Sequence, residues 1–280
     1  MKKSMIFLAV WLLLCGGIVR AESAEPSSSP APSVEDIVAR ANRTAYYQGL
    51  DGKSKVQMTI TDKQGRTRNR EFIILRKNTP DSDNQKYFVY FLAPADVRRM
   101  VFMVHKYAAP DKDDDRWLYL PNLDLVRRIA AGDKRTSFVG SDFLYEDVSG
   151  RSLVEDEHQL LRTTEDSYVI KNIPKKPDTV EFAYYLVSID KATYMPMKME
   201  YYDKNDALFR VIESQKLERI KAVEGQQEVE YPTVTRSVVK DLRTGSTTEM
   251  VFSEVRYNIG LTDDLFTERY LKRPPKEAMR

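Results

Sequence analysis

The sequence holds one cysteine, Cys15, and two histidines, His105 and His158, in 280 residues. Cys15 falls inside an N-terminal secretion signal. Lys2 and Lys3 precede the apolar run Met5 to Leu14, and Val19-Arg20-Ala21 places small residues at the −3 and −1 positions for cleavage before Glu22. A chain beginning at Glu22 has no cysteine, which excludes disulfides and cysteine-based metal or nucleophile sites. Leu14 stands where a lipid-anchor site takes a small residue, which argues against acylation of Cys15. The apolar run is shorter than the roughly 20 residues of a membrane span. No second long apolar segment follows, so the mature chain is expected to be soluble.

The two histidines lie in different segments with no metal-ligand spacing between them. Asp111-Lys112-Asp113-Asp114-Asp115 lacks the glycine and the distal glutamate of an EF-hand loop and reads as a solvated turn. There is no Gly-rich phosphate loop, no G-x-S-x-G elbow and no H-E-x-x-H. The reading is a protein that is not an enzyme and carries no metal and no cofactor. Loss of Lys2, Lys3 and Arg20 with the signal leaves 41 of the 44 basic residues against 42 acidic ones. That near-neutral balance gives no support for nucleic acid as a partner.

What is present is a helix followed by many strands. Residues 22–33, ESAEPSSSPAPS, form a disordered Pro/Ser linker. Ser33-Val34-Glu35-Asp36 is a capping-box pattern, and Val34, Ile37, Val38, Ala41 and Ala45 share one face of a helix over Val34 to Tyr46. The period then changes to two. Val56, Met58 and Ile60 alternate with polar residues, and Asp62-Lys63-Gln64-Gly65 supplies a hairpin turn. Further strands are expected at Phe72–Leu75, Tyr87–Leu92, Met100–Val104, Tyr168–Ile170, Val180–Ile189, Met195–Tyr202, Leu208–Ser214, Thr233–Lys240 and Thr248–Tyr257. The stretch Asp115 to Pro121 reads as an aromatic strand, Arg127-Arg128-Ile129 as the start of another, and Gly140-Ser141-Asp142-Phe143 as a loop leading into a short helix. Thr262 is expected to cap a last helix through Leu271, and residues 274–280 to be a flexible tail. About eleven strands on short turns argue for one long antiparallel sheet, which must curl or close.

The middle strands are apolar on both faces, with Tyr87, Val89 and Phe91 on one and Phe88, Tyr90 and Leu92 on the other. Both faces must be covered, one by protein and the second by a helix, another sheet or a ligand. Tyrosine and methionine recur on these strands, and both suit an adaptable apolar surface. Burying about fourteen acyl methylenes would gain roughly 11 kcal/mol gross at about 0.8 each, less several for association. A hydrophobic cavity therefore suffices to hold a lipid without a charged pocket.

Trp117-Leu118-Tyr119-Leu120-Pro121, Arg127-Arg128-Ile129, Gly140-Ser141-Asp142-Phe143 and Glu146-Asp147-Val148 resemble the LolA-like family of outer-membrane lipoprotein-sorting proteins. Phe91-Leu92-Ala93-Pro94, Met195 to Asp203, Pro232 to Arg236 and Asp263 to Arg269 add to the likeness, which spans nearly all of Asp36 to Arg273. The resemblance implies a mainly β fold with few helices (α+β), a strongly curved antiparallel sheet forming an incomplete β-barrel lidded by helices, over residues 34–273. It implies a periplasmic carrier of lipid or lipoprotein acyl chains, whose partners are an inner-membrane RND-type transporter or an outer-membrane acceptor. A second reading is an envelope sensor or transporter accessory that uses the same half-barrel to bind a protein.

Strand parity selects Met58, Ile60, Phe72, Tyr87, Val89, Phe91, Phe102, Trp117, Tyr119, Met197, Met199 and Tyr201 as candidate cavity lining, and Arg127 and Arg128 as candidates for a lipid headgroup at the rim. Parity alone does not say which face is concave.

Overall fold

The computed structural model describes residues 31–80, 82–109 and 112–279. The secretion signal, Cys15 and most of the Pro/Ser linker lie outside them. The first element is α1 (Val34–Tyr46), started as expected: the Ser33 side chain accepts a hydrogen bond from Asp36 N at 3.1 Å. Six strands follow: β1 (Asp51–Thr61), β2 (Thr67–Asn78), β3 (Gln85–Ala93), β4 (Val101–Lys106), β5 (Asp115–Leu120) and β6 (Leu125–Arg128). Residues 129–155 then form a long connection containing α2 (Tyr145–Ser149). Seven more strands complete the sheet: β7 (Asp156–Thr163), β8 (Ser167–Pro174), β9 (Tyr184–Asp190), β10 (Pro196–Tyr202), β11 (Leu208–Glu224), β12 (Gln227–Asp241) and β13 (Ser246–Tyr257). The chain ends in α3 (Arg269–Lys272) and α4 (Lys276–Met279).

All thirteen strands belong to one antiparallel sheet in the order β6-β5-β4-β3-β2-β1-β13-β12-β11-β10-β9-β8-β7. Two meanders, β1–β6 and β7–β13, are joined where β1 pairs with β13. The sheet curves but does not close, so β6 and β7 are its two free edges. They are also consecutive in sequence, so the 129–155 connection must travel from one edge to the other. It does so across the concave face and becomes the filling of the half-barrel.

Register then assigns the faces. Val56, Met58, Ile60, Phe72, Tyr87, Val89, Phe91, Phe102 and Val104 share a buried cluster with Phe138, Phe143 and Tyr145 of the connection. Phe138 is fully buried, with ring centroids 5.9 Å from Phe72, 5.9 Å from Phe91, 5.8 Å from Phe102 and 5.4 Å from Tyr145. The opposite, convex face of β2–β5 carries Ile73, Leu75, Phe88, Tyr90, Val101 and Met103 under Leu261, Leu265, Phe266, Leu271 and Ala278 of the C-terminal segment. Both faces of the apolar middle strands are thus covered by protein.

Four sequence expectations change. Strand β7 was not anticipated, because as an edge strand it buries only Asp156 and shows no alternation. The strand expected from Val180 begins at Tyr184, since Pro177–Thr179 forms a 3₁₀ turn in front of it. The helix expected from Thr262 to Leu271 divides into a 3₁₀ turn, Asp263–Phe266, and α3, and Thr262 spends its hydroxyl on Asp264 instead of a cap. The tail is not frayed over 276–279: α4 buries Ala278 completely, and Lys53 Nζ donates to Glu277 O at 2.8 Å.

Candidate functional site: a cavity under the first helix

The concave face has two unlike halves. Over β2–β5 it is filled by Phe138 and its neighbours. Over β8–β13 it is roofed by α1 and the α2 region: Ile37, Val38 and Ala41 pack onto Ile170, Val187 and Tyr201, and beside that packing a cavity of about 690 Å³ remains. That volume lies within the range of small-molecule sites. Val38, Ala41 and Ala45 face it from α1, and Phe72, Ile74 and Tyr87 close the end nearest the packed half. Ile170, Val187, Met199, Tyr201, Ile212, Met250 and Phe252 form the sheet wall. The helix contributes to the hollow by what it lacks: Ala41 and Ala45, one turn apart, keep high helix propensity while presenting single methyl groups.

The roof is tied down by its ends. The last carbonyl of α1, Tyr46 O, accepts from Arg76 Nη1 at 2.7 Å and from Gln85 Nε2 at 2.7 Å, a favourable placement of positive charge at a helix C-terminus. The connection is tied through Asp142. Its N–H donates to Thr248 Oγ1 at 2.9 Å, and its carboxylate accepts from Thr248 Oγ1 at 2.6 Å and from Ser246 Oγ. Arg210, on β11, donates to Asp142 O at 3.0 Å and pairs with Asp147 of α2. Beyond it, Arg151 grips Asp156 through two bonds of 2.8 Å, Glu146 takes Arg135 and Arg151, and Tyr185 donates to Asp156 at 2.7 Å.

These charges lean on one another. Burial, and after it the charge of Asp147, raises the hydroxyl pKa of Tyr46 and of Tyr201, which keeps both neutral. For Arg210 burial alone would lower the pKa, but the Asp147 carboxylate beside it prevails and raises it. Lys106 is the exception in kind. Its ammonium is buried and has carbonyls for partners, Ser149 O at 2.8 Å and Gly150 O at 3.2 Å, with the rings of Tyr46 and Tyr47 nearby, and burial lowers its pKa to about 8. Gly150 is required there: it has φ +80°, and a Cβ would lie 3.0 Å from the Tyr46 ring and 3.1 Å from Lys106 Nζ.

Of the residues read from the sequence as lining, Phe72, Tyr87, Met199 and Tyr201 border the cavity. Met58, Ile60, Val89, Phe91 and Phe102 are on the same concave face but inside the packed half. Trp117 and Tyr119 are on the convex face, because β5 pairs Leu118 with Phe102 and so turns Leu118 and Leu120 inward. Met197 sits at a register break between Pro196 and Lys198, and Pro196 takes its place opposite Ile189. Arg127 and Arg128 are exposed on the edge strand β6, paired with Asp133 and Asp115, and neither borders the cavity. Neither histidine borders it either: His105 Nε2 donates to Phe266 O at 2.7 Å, and His158 is within bonding distance of Asn172 and Leu153. Sequence reasoning missed Phe138, Phe182, Asp147 and Arg210. Arg210 carried a signal, an arginine set between Phe209 and Val211 in an otherwise apolar strand.

Comparison with known proteins agrees with this architecture. A family model described as "uncharacterized protein" matches residues 83–273. A DUF1329 family protein from Desulfovibrio piger has 29% identity and a TM-score of 0.75, with 86% of this chain and 100% of that one aligned. A domain assigned as an outer membrane lipoprotein-sorting protein, from Vibrio parahaemolyticus, has 26% identity and a TM-score of 0.71 over 85% of this chain and 96% of its own. A LolA superfamily protein from Nitrosomonas europaea, at 18% identity and TM-score 0.62 over 86% and 100%, shares the fold. No curated protein matches the chain. With the family model covering well over half of its length, the chain belongs to the family that this model describes, is similar to the DUF1329 protein and to the lipoprotein-sorting domain, and shares the fold of the LolA superfamily protein.

Proposed function

We propose that this protein is a non-enzymatic periplasmic carrier that shields the acyl chains of a lipid or lipoprotein. The observation that carries the reading is the cavity itself: apolar side chains from α1 and eight strands surround about 690 Å³, and the buried charges at its end are committed to each other. Such a chamber gains affinity by removing hydrocarbon from water, in proportion to the area buried, and needs no reactive group. The secretion signal read from the sequence supports the periplasm. Among the described residues no helix is long and apolar enough to cross a membrane. The sorting role assigned to the Vibrio parahaemolyticus domain supports a cargo bound for the outer membrane. Delivery to an outer-membrane acceptor, or service to an inner-membrane RND-type lipid exporter, follows from the same reading.

A second reading, a transporter accessory or envelope sensor that grips a protein, is favoured by one feature. Beyond Arg236, β11 and β12 pair as strands only with each other, from Leu217↔Val234 to Glu224↔Gln227, forming a two-stranded ribbon that Gln48 Nε2 ties down at Pro232 O (2.6 Å) and Asn258 Nδ2 at Val223 O (2.9 Å). Purification of the mature protein from an envelope under mild conditions, extraction with organic solvent and mass spectrometry of the extract separate the two. A reproducible acyl lipid at about one per protein supports the carrier. An empty protein that also fails to bind a fluorescent fatty acid rejects it.

A further inference from the structure

On the carrier reading, we propose that the end of the half-barrel bearing the β1–β2 turn docks on an anionic lipid surface and brings the cavity against it. Antiparallel pairing gathers the β1–β2 turn (62–66), the β3–β4 loop (94–100) and the β12–β13 turn (242–245) at one end of the sheet. Residues 62–70 and 94–99 of that rim hold six basic residues against two acidic ones. Both acidic residues are taken: Asp62 pairs with Arg66, and Asp96 with Arg70. Lys63, Arg68, Arg98 and Arg99 are exposed, and among the described residues none of them pairs with a carboxylate. Arg68 donates to a neutral acceptor, Gly140 O at 3.1 Å, beside Ser141 and Asp142 of the cavity lining. Cations gathered without counter-charges repel one another, and an anionic surface relieves that repulsion.

The rim is continuous with the cavity. Arg243 of the β12–β13 turn borders the cavity, where it pairs with Glu181, and a Cβ at Gly245 of the same turn would lie 3.3 Å from Lys63 Cβ. Asp241 spends its carboxylate on that turn, accepting from Arg243 N at 2.8 Å and Thr244 N at 3.0 Å. Between them Leu242 is 51% exposed, held in place by its N–H, which donates to Phe209 O at 2.8 Å. A leucine held in water beside unpaired cations matches a bilayer, where hydrocarbon lies beneath anionic headgroups. An acidic protein surface would answer the charges and leave the leucine without a partner. The opposite end of the sheet has the reverse balance, with Glu218, Glu224, Glu228 and Glu230 against Arg219 and Lys221 on the β11–β12 ribbon. A negative surface therefore turns the molecule rim first.

The test is co-sedimentation of the mature protein with vesicles of phosphatidylcholine, alone or mixed with phosphatidylglycerol. Binding to the mixed vesicles should be at least about tenfold tighter at low salt. It should fade as added salt shortens the screening length from about 30 Å to about 8 Å. A basic residue near such a surface contributes about fivefold, roughly 1 kcal/mol. The Lys63→Gln, Arg98→Gln double variant should therefore bind the mixed vesicles about 25-fold more weakly. The Arg219→Gln, Lys221→Gln variant loses the same charge from the ribbon and should stay within about twofold of wild type. Leu242→Ser should weaken binding about fivefold through lost apolar burial. Equal binding to the two kinds of vesicle, or a rim variant that matches the ribbon variant, overturns the proposal. Binding to neither vesicle also overturns it and leaves an acidic protein surface as the partner the rim fits. A fluorescent fatty acid, titrated into the same proteins, should bind the rim variant as it binds wild type, which also shows that the variant is folded. Its failure to bind wild type rejects the carrier reading, whatever the vesicles show.

Discussion

Met199 and Phe91 look alike in sequence, as apolar residues on alternating strands, yet they occupy different environments. Phe91 is fully buried among Phe72, Phe102 and Phe138, whereas Met199 borders the cavity. Phe91→Glu should abolish folding, since it buries an unpaired charge where nothing can solvate it. Met199→Glu should leave the melting temperature within a few degrees of wild type, because the cavity gives the carboxylate room, and weaken fatty-acid binding at least about tenfold, because it sets a charge against the hydrocarbon. Fluorescence titration and thermal melts of the two variants check this. Arg210→Ala should cost about 3 kcal/mol in urea unfolding, since it leaves the largely buried Asp147 with only the Leu144 N–H for a partner, while the Arg210→Met, Asp147→Leu double variant should recover most of it. Lys106 gives a pH signature. Its folded pKa of about 8 lies below the usual 10.5, so between these values the unfolded chain binds the extra proton. Its destabilising effect is full below pH 8 and fades as pH rises toward 10.5, on the order of 3 kcal/mol in all. Relative to Lys106→Met, the wild type should therefore gain stability from pH 8 to pH 10, measured by urea midpoints. Two-residue alternation revealed which side chains share a face, but only register decides which face is concave. That is why Phe72 and Tyr87 were legible as lining, while Trp117 and Tyr119 fell on the outside.

At the scale of elements, helix α1 and most strands were readable because cap, period and turn chemistry agree there: Ser33 caps, Val56, Met58 and Ile60 alternate, and Asp62 folds its own hairpin by accepting from Gln64 N at 2.9 Å and Arg66 N at 3.0 Å. Strand β7 was opaque because an edge strand with one buried residue carries no pattern. The C-terminal segment was opaque for another reason. α4 is a single turn whose existence depends on Ala278 meeting the convex face of β2 and β3, a tertiary contact that no local propensity announces. Ala278→Asp should therefore lower stability by about 1–3 kcal/mol or more through a buried, unsatisfied carboxylate. A tail without a structural role would tolerate it, with no change in the urea midpoint.

The whole molecule is one curved sheet whose two free edges are joined by a single crossing chain. That topology divides the concave face into a half plugged by Phe138, Phe143 and Tyr145 and a half left hollow beneath Ala41 and Ala45. The apolar abundance read from the sequence is thereby resolved into three parts: a packed inner core, an outer core under the C-terminal segment, and the wall of a chamber. Photocrosslinking with a diazirine-bearing fatty acid, followed by peptide mapping, distinguishes them directly. Adducts should fall on the hollow half, at Met199 on β10, Ile212 on β11 and Phe252 on β13, in a saturable manner displaced by palmitate. Adducts confined to Trp117, Tyr119 and the α3–α4 side, or no saturable adduct at all, would contradict the assignment of this cavity as the lipid site.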